Sequence, residues 1–179
     1  MALDNKSLIK GINPVRQTPV SFSLPQRILH WVMALLILFN LLFADGMEHW
    51  AGLFFRGEPV PADAVASANI HAYVGIAVLV LALIRLALRL FQGVPPEPEA
   101  EPPFFRKVAK VSHWTFYLLF IGMPLAGMAG YYLGSGTAAE IHGGVLKLAM
   151  WILILAHLGA VALHQLYWKT NIIRRMTTG

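Results

Sequence analysis

The sequence predicts an all-α fold, a four-helix transmembrane bundle, on three observations. Of 179 residues, 57% are hydrophobic and 13% charged, with a mean hydropathy of +0.60, far from the balance of a soluble globular domain. Four apolar runs, residues 28–44, 70–91, 108–133 and 141–167, match with short extensions a hydrocarbon core of about 30 Å, which takes about 20 helical residues. The intervening segments, 45–69, 93–103 and 134–137, are polar or rich in Pro and Gly, which ends helices and leaves backbone groups that lipid cannot satisfy.

Each element has its own signals. The first run follows a basic N-terminus and stops near FADG, as a secretory signal does, but its apolar core is too long and three spans follow; it reads as an uncleaved helix. Ser23 and Gln26 in SLPQ form a capping-box pattern with Pro25 in the first turn, so that helix should begin there. Residues 1–22 read as a cytoplasmic extension and 23–179 as one transmembrane domain. The second and third spans flank GVPPEPEAEPP, read as a linker, and 45–69 is read as another.

The basic residues orient the bundle. With four spans both termini share a side, and that side carries Lys6, Lys10, Arg16, Arg27, Arg85, Arg89, Arg106, Lys107, Lys110, Lys169, Arg174 and Arg175, against Arg56 on the other. Positive charge stays inside, so both termini are expected in the cytoplasm. The net charge of +5 then describes a membrane surface, and no fold or motif supports nucleic-acid binding.

Cysteine is absent, which excludes disulfides, thiolate-bound clusters and covalent haem attachment through C-x-x-C-H. Histidine is left to carry any metal chemistry. Of the seven, His49 falls in a loop, while His30, His71, His113, His142, His157 and His164 fall on or at the ends of spans, where polar side chains usually face the bundle interior. Hydrogen bonding at the membrane interface is the plainer alternative for any one of them.

Depth pairs four of these. His142 and His157 are 15 residues apart, about 22 Å along a helix and about 60° apart around it. Because successive spans run in opposite directions, His30 comes level with His157 near the cytoplasmic face, and His71 with His142 near the other. Two imidazoles without a carboxylate or thiol make a poor zinc or copper site, whereas haem iron needs only two axial ligands. Bis-histidine haem b fits best. Gly75, Gly143, Gly144 and Gly159 would give a porphyrin room; small residues, including Gly122, Ala126 and Gly130, serve helix packing equally well.

Four segments resemble the bacterial cytochrome b561 family, whose members include a superoxide oxidase that reduces ubiquinone: ILHWVMALL, NIHAYVGIAVLVLALIRLALRL, SHWTFYLLFIGMPLAG and AHLGAVALHQLYWKTN. The resemblance implies a four-helix bundle with two haems b, His30 and His157 binding the cytoplasmic-side iron and His71 and His142 the periplasmic-side iron, in agreement with the depth pairing. It also implies a multi-pass protein of the bacterial inner membrane and favours a quinone site near His164. The N-terminal extension and residues 45–69 match no pattern of the family.

Other residues fit around this frame. His164 lies 7 residues beyond His157, about 10 Å further along, and suits a quinone hydrogen bond or proton transfer; an interfacial place beside Tyr167 and Trp168 is the alternative. Arg85 and His113 lie level with the cytoplasmic-side haem and suit a propionate or quinone, with snorkelling the other reading for Arg85 and the preferred one for Arg89. Trp114 and Tyr117 read as packing. Lys147, in the outer half of its span, would attract an anion such as superoxide if it faces inward, with Arg56 contributing at the loop surface.

Three functions follow. The first is an oxidoreductase passing electrons from periplasmic superoxide through two haems to cytoplasmic-side ubiquinone. The second is an electron-transfer subunit relaying between quinone and a periplasmic partner that docks on 45–69. The third, a non-redox membrane protein with histidine proton relays, predicts no b-type spectrum.

Overall fold

The structure, a computed structural model, describes residues 21–98 and 100–179. The extension expected over residues 1–22 lies outside the described residues except for its last two, as do Lys6, Lys10 and Arg16. All regular structure among the described residues is helical: α1 (Leu24–Leu42), α2 (Asp45–Phe55), α3 (Ala62–Gln92), α4 (Pro103–Leu133), α5 (Gly136–Ile141), a π-helical turn (His142–Leu146), α6 (Lys147–Leu166) and α7 (Ile172–Thr177). Four stretches are long and apolar enough to cross a membrane: α1, α3, α4 and the continuous Gly136–Leu166.

The helix boundaries have visible causes. At α1 the Ser23 hydroxyl accepts from the Gln26 N–H at 3.4 Å and the Gln26 side chain accepts from the Ser23 N–H at 3.1 Å, the reciprocal cap expected from SLPQ. Pro103 opens α4, where its missing N–H costs nothing, and Gly134 closes it at φ 65°, a left-handed conformation natural to glycine. The Ser135 hydroxyl then caps α5 by accepting from the Ala138 N–H.

Two sequence expectations are corrected. Residues 45–69 are not a linker: α2 occupies Asp45–Phe55 and α3 begins at Ala62, leaving a short turn between. Trp50 of α2 is buried against Tyr131, with ring centroids 4.5 Å apart, and an aromatic face of this kind outweighs the scattered Gly and Asp that read as a loop. A Cβ on Gly46 would collide with Ser67, so the α2–α3 contact depends on that glycine. His49, read as a loop residue, is an exposed residue of α2. The last span also departs from a plain helix, since the π turn over HGGVL adds one residue without adding its full rotation. His142 and His157 are then separated by about 14 residues' worth of turn, placing them about 40° apart on the opposite side from the expected 60°.

In the packing, α3 lies between α1 and α4 and α2 lies along α3. The middle of the bundle is closed by Met33, Val78 and Ala82, with Leu36, Ile37, Leu81 and Phe120 around them. The outer surface carries exposed apolar side chains such as Leu35, Leu83, Leu118 and Leu155, as a lipid-facing surface requires. One end, the α2 end, is covered by α2 and α5. The other, the α7 end, gathers the start of α1, the Pro-rich segment and α7. There Arg27 donates to the Thr177 carbonyl at 2.9 Å, Trp31 Nε1 to that of Met176 at 2.9 Å and Arg175 to that of Pro96 at 2.7 Å.

Candidate functional site

Histidines meet at both ends of the bundle. At the α2 end the rings of His71 and His142 have centroids 6.0 Å apart. At the α7 end His30 and His157 are 6.3 Å apart, and His113 of α4 lies an equal 6.3 Å from His157. The two depth pairs expected from sequence are thus brought together, and His113 joins one of them. Among the described residues no group of three or more His, Cys, Asp or Glu forms a metal cluster.

These separations fit a bis-imidazole iron. An imidazole nitrogen bonds a metal at about 2.0 Å and lies about 1.1 Å from its ring centre, so two rings on one ion stand about 6.2 Å apart. Iron held this way takes its other ligands from the porphyrin, so two side chains suffice.

The α2 end is hollow. A cavity of about 190 Å³ opens beside His71 and His142, floored by Phe120 and Met150 and covered by Trp50 and Phe55. Gly75 and Gly143 line it, as expected of residues that give room. His142 is aimed by its second nitrogen: the Met123 carbonyl, 2.7 Å from Nδ1, can only accept, so Nδ1 carries the proton and Nε2 keeps its lone pair for a metal. This approach requires Gly127, because a Cβ there would lie 2.9 Å from the ring Cε1. The Asn40 amide donates to the His71 carbonyl at 3.0 Å, while His71 Nδ1 and Asn40 Oδ1 are buried without partners among the described residues.

The mouth of this cavity carries opposite charges. Lys147 donates to the Glu48 carboxylate at 2.6 Å, joining α6 to α2, and among the described lining residues they are the one cation and the one acid. Lys147 therefore faces inward, but its charge is partly compensated. Arg56 lies outside the cavity lining and pairs with Glu58 at 2.6 Å, a solvated contact that holds the Glu58 carboxyl below the usual range.

The α7 end is crowded instead. Phe116 packs edge-on against His157 at 5.6 Å and lies face to face with Phe120 at 5.4 Å, linking the two histidine levels. Arg85 lies close enough to interact with His30, His113 and His157 through space, and its guanidinium donates to the Gln26 carbonyl at 2.8 Å. Arg89 stands over the rings of Trp114 and Tyr117, at 5.8 and 5.9 Å, rather than reaching out to headgroups. A cleft of about 10 Å³ lies between Gln26, Arg85, Arg89 and Tyr117.

His164 is buried, and both ring nitrogens have neighbours: Nδ1 is 2.9 Å from Thr170 Oγ1 and Nε2 is 3.5 Å from Glu101 Oε1. Trp168 packs edge-on against it at 4.7 Å. Lys169 and Asn171 take left-handed conformations, φ 52° and 50°, which turn the chain so that Thr170 folds back onto the imidazole. The small-residue stripe is only partly used: Gly130 packs closely on Ala139, whereas Gly122, Gly144 and Gly159 face open space. Sequence reasoning missed Met123, Gly127, Glu48 and Glu101.

Opposed imidazoles at two depths of a membrane-spanning helical bundle define a membrane b-type cytochrome. The chain belongs to the prokaryotic cytochrome b561 family, which it matches over residues 21–179. It is 36% identical over 148 residues to a protein named cytochrome b562 from Cereibacter sphaeroides, spanning 83% of this chain and 89% of that one. Over 104 residues it is 32% identical to a probable superoxide oxidase CybB from Yersinia pestis, spanning 58% of this chain and 54% of the relative. It is accordingly a bacterial multi-pass membrane oxidoreductase that binds haem b.

Proposed function

We propose that the chain carries two haems b across the inner membrane, taking electrons from superoxide at a periplasmic α2 end and delivering them to ubiquinone at a cytoplasmic α7 end. The observation that carries this reading is the pair of imidazole separations, 6.0 and 6.3 Å, at opposite ends of one bundle. Bound between two imidazoles, a haem supplies one-electron transfer and no vacant coordination site. His71 and His142 would hold the periplasmic-side iron and His30 and His157 the other, His30 being preferred over the equidistant His113 because the family resemblance implies ligands on the first, second and fourth spanning helices, whereas His113 lies on the third.

The remaining residues act around these ligands. Met123 and Gly127 aim His142. Lys147 draws an anionic donor to the cavity once Glu48 yields its place, a local field effect that salt weakens. Arg85 offers a guanidinium to a propionate or quinone at the cytoplasmic side, and His113 faces the same space. His164 acts on quinone chemistry through the contacts described above. Both termini lie in the cytoplasm, residues 1–22 forming an extension of the domain at 23–179.

A second reading, a subunit relaying electrons between quinone and a periplasmic partner, draws support from α2, which gives that end a folded surface with exposed Phe54 and Phe55. Rapid mixing of the purified holoprotein with superoxide and ubiquinone separates the two: quinol formation dependent on superoxide is expected, and its absence would favour the relay. A pyridine haemochrome assay is expected to give two haems per chain; one would overturn the paired arrangement.

A further inference from the structure

The α7 end buries a polar cluster for which electron transfer has no use. Glu101 is 4% exposed and His164 7%, and burying such groups is unfavourable unless they are paired. They are: Glu101 Oε1 lies 3.5 Å from His164 Nε2, and Thr170 Oγ1 lies 2.9 Å from the opposite nitrogen, Nδ1. Thr170 is only half-buried, so the line runs from a group within reach of water, through an imidazole, to a sealed carboxylate. An imidazole flanked on both nitrogens takes up a proton at one while releasing one at the other.

We infer that Thr170, His164 and Glu101 form a proton wire that feeds quinone reduction at the α7 end. This rests on the quinone reading above and adds the source of its protons. Reduction of one quinone to quinol takes two electrons and two protons, with formation of two O–H bonds. Two superoxide anions supply those electrons and leave as dioxygen. Each proton enters at the Thr170 hydroxyl, passes to Nδ1 as Nε2 releases its own to Glu101, and leaves the carboxyl toward the quinone.

Charged side chains also stand at this end of the bundle. Arg106 of α4 donates through Nε to the Glu101 backbone carbonyl at 2.8 Å. Glu97 pairs with Lys110 at 3.0 Å, which holds its carboxyl below the usual range, and Arg175 of α7 donates to the Pro96 carbonyl at 2.7 Å.

The test is Glu101→Gln, which keeps the shape and removes the exchangeable proton. In the holoprotein, reduced beforehand and mixed with a short-chain ubiquinone, haem reoxidation should slow on the order of 100-fold near pH 8, the usual scale of a general acid. The deficit should shrink as the pH falls toward about 6, where protons from bulk water substitute. Haem content and KM for the quinone should stay within about twofold, Glu101→Asp should recover part of the rate, and Thr170→Val should give a smaller slowing with the same pH trend.

Equal rates in Glu101→Gln and wild type at every pH would overturn the wire, as would a raised KM with a pH-independent loss, which marks a packing role. Should Glu101→Gln fail to retain haem, Thr170→Val decides alone: a pH-dependent slowing supports the wire and an unchanged rate overturns it. Wild-type haems that ubiquinone does not reoxidise at all would overturn the quinone reading together with this one.

Discussion

The two ends of the bundle hold imidazoles at nearly the same separation, 6.0 Å at the α2 end and 6.3 Å at the α7 end, yet their surroundings have little in common. The α2 end is hollow: glycines withhold side chains, a helix covers the cavity, and one ring nitrogen of His142 is fixed by a backbone carbonyl. The α7 end is filled with rings and guanidiniums and brings a third imidazole, His113, as close to His157 as His30 is. Spacing alone therefore identifies what kind of ion can be held, while the neighbours decide which imidazoles hold it and what can approach it.

Ligand removal tests this contrast with the largest effect. His142→Ala should abolish the α2-end haem and leave the other, and His30→Ala the reverse, read as haem per chain by pyridine haemochrome and as the loss of one component in a redox titration. His113→Ala should keep both; losing one there while His30→Ala loses none would exchange the roles of the two histidines. Next, Gly127→Ala pushes a methyl against the His142 ring, an overpacking cost of about 1–3 kcal/mol, so haem retention at the α2 end should fall on the order of tenfold. Gly122→Ala, in open space, should change nothing. Trp50→Ala should cost about 3 kcal/mol in thermal unfolding of the holoprotein while leaving the α7-end haem potential alone. The smallest effects belong to the Glu48–Lys147 pair: in stopped flow with superoxide, Lys147→Gln should slow haem reduction and Glu48→Gln speed it, each roughly few-fold and less at high salt. Changes of the same sign would remove the pair from the approach path.

Much of the architecture could be read from the sequence because membrane spanning imposes a length and an apolar composition that four runs satisfy, and because alternating helix direction fixes which histidines share a depth. The SLPQ cap was equally readable, since its geometry is local. The α2 helix was hidden because Asp45, Gly46 and Gly52 look like loop residues until Trp50 is seen against Tyr131, a contact across more than eighty positions. Glu101 was hidden for a related reason: between prolines it reads as part of a solvated linker, and only the fold-back at Lys169 and Asn171 brings His164 and Thr170 into line with it. Gly127 had no distinguishing pattern, because what it makes room for belongs to another helix.

The wide turn over HGGVL has a consequence for how the last span tolerates change. A helix that already absorbs a surplus residue has slack in its winding, so deleting Gly144 would restore ordinary coiling while both imidazoles kept their bearings. An added residue further along, in the regular stretch between Met150 and His157, would find no such slack and would swing one imidazole away from its partner by about 100°.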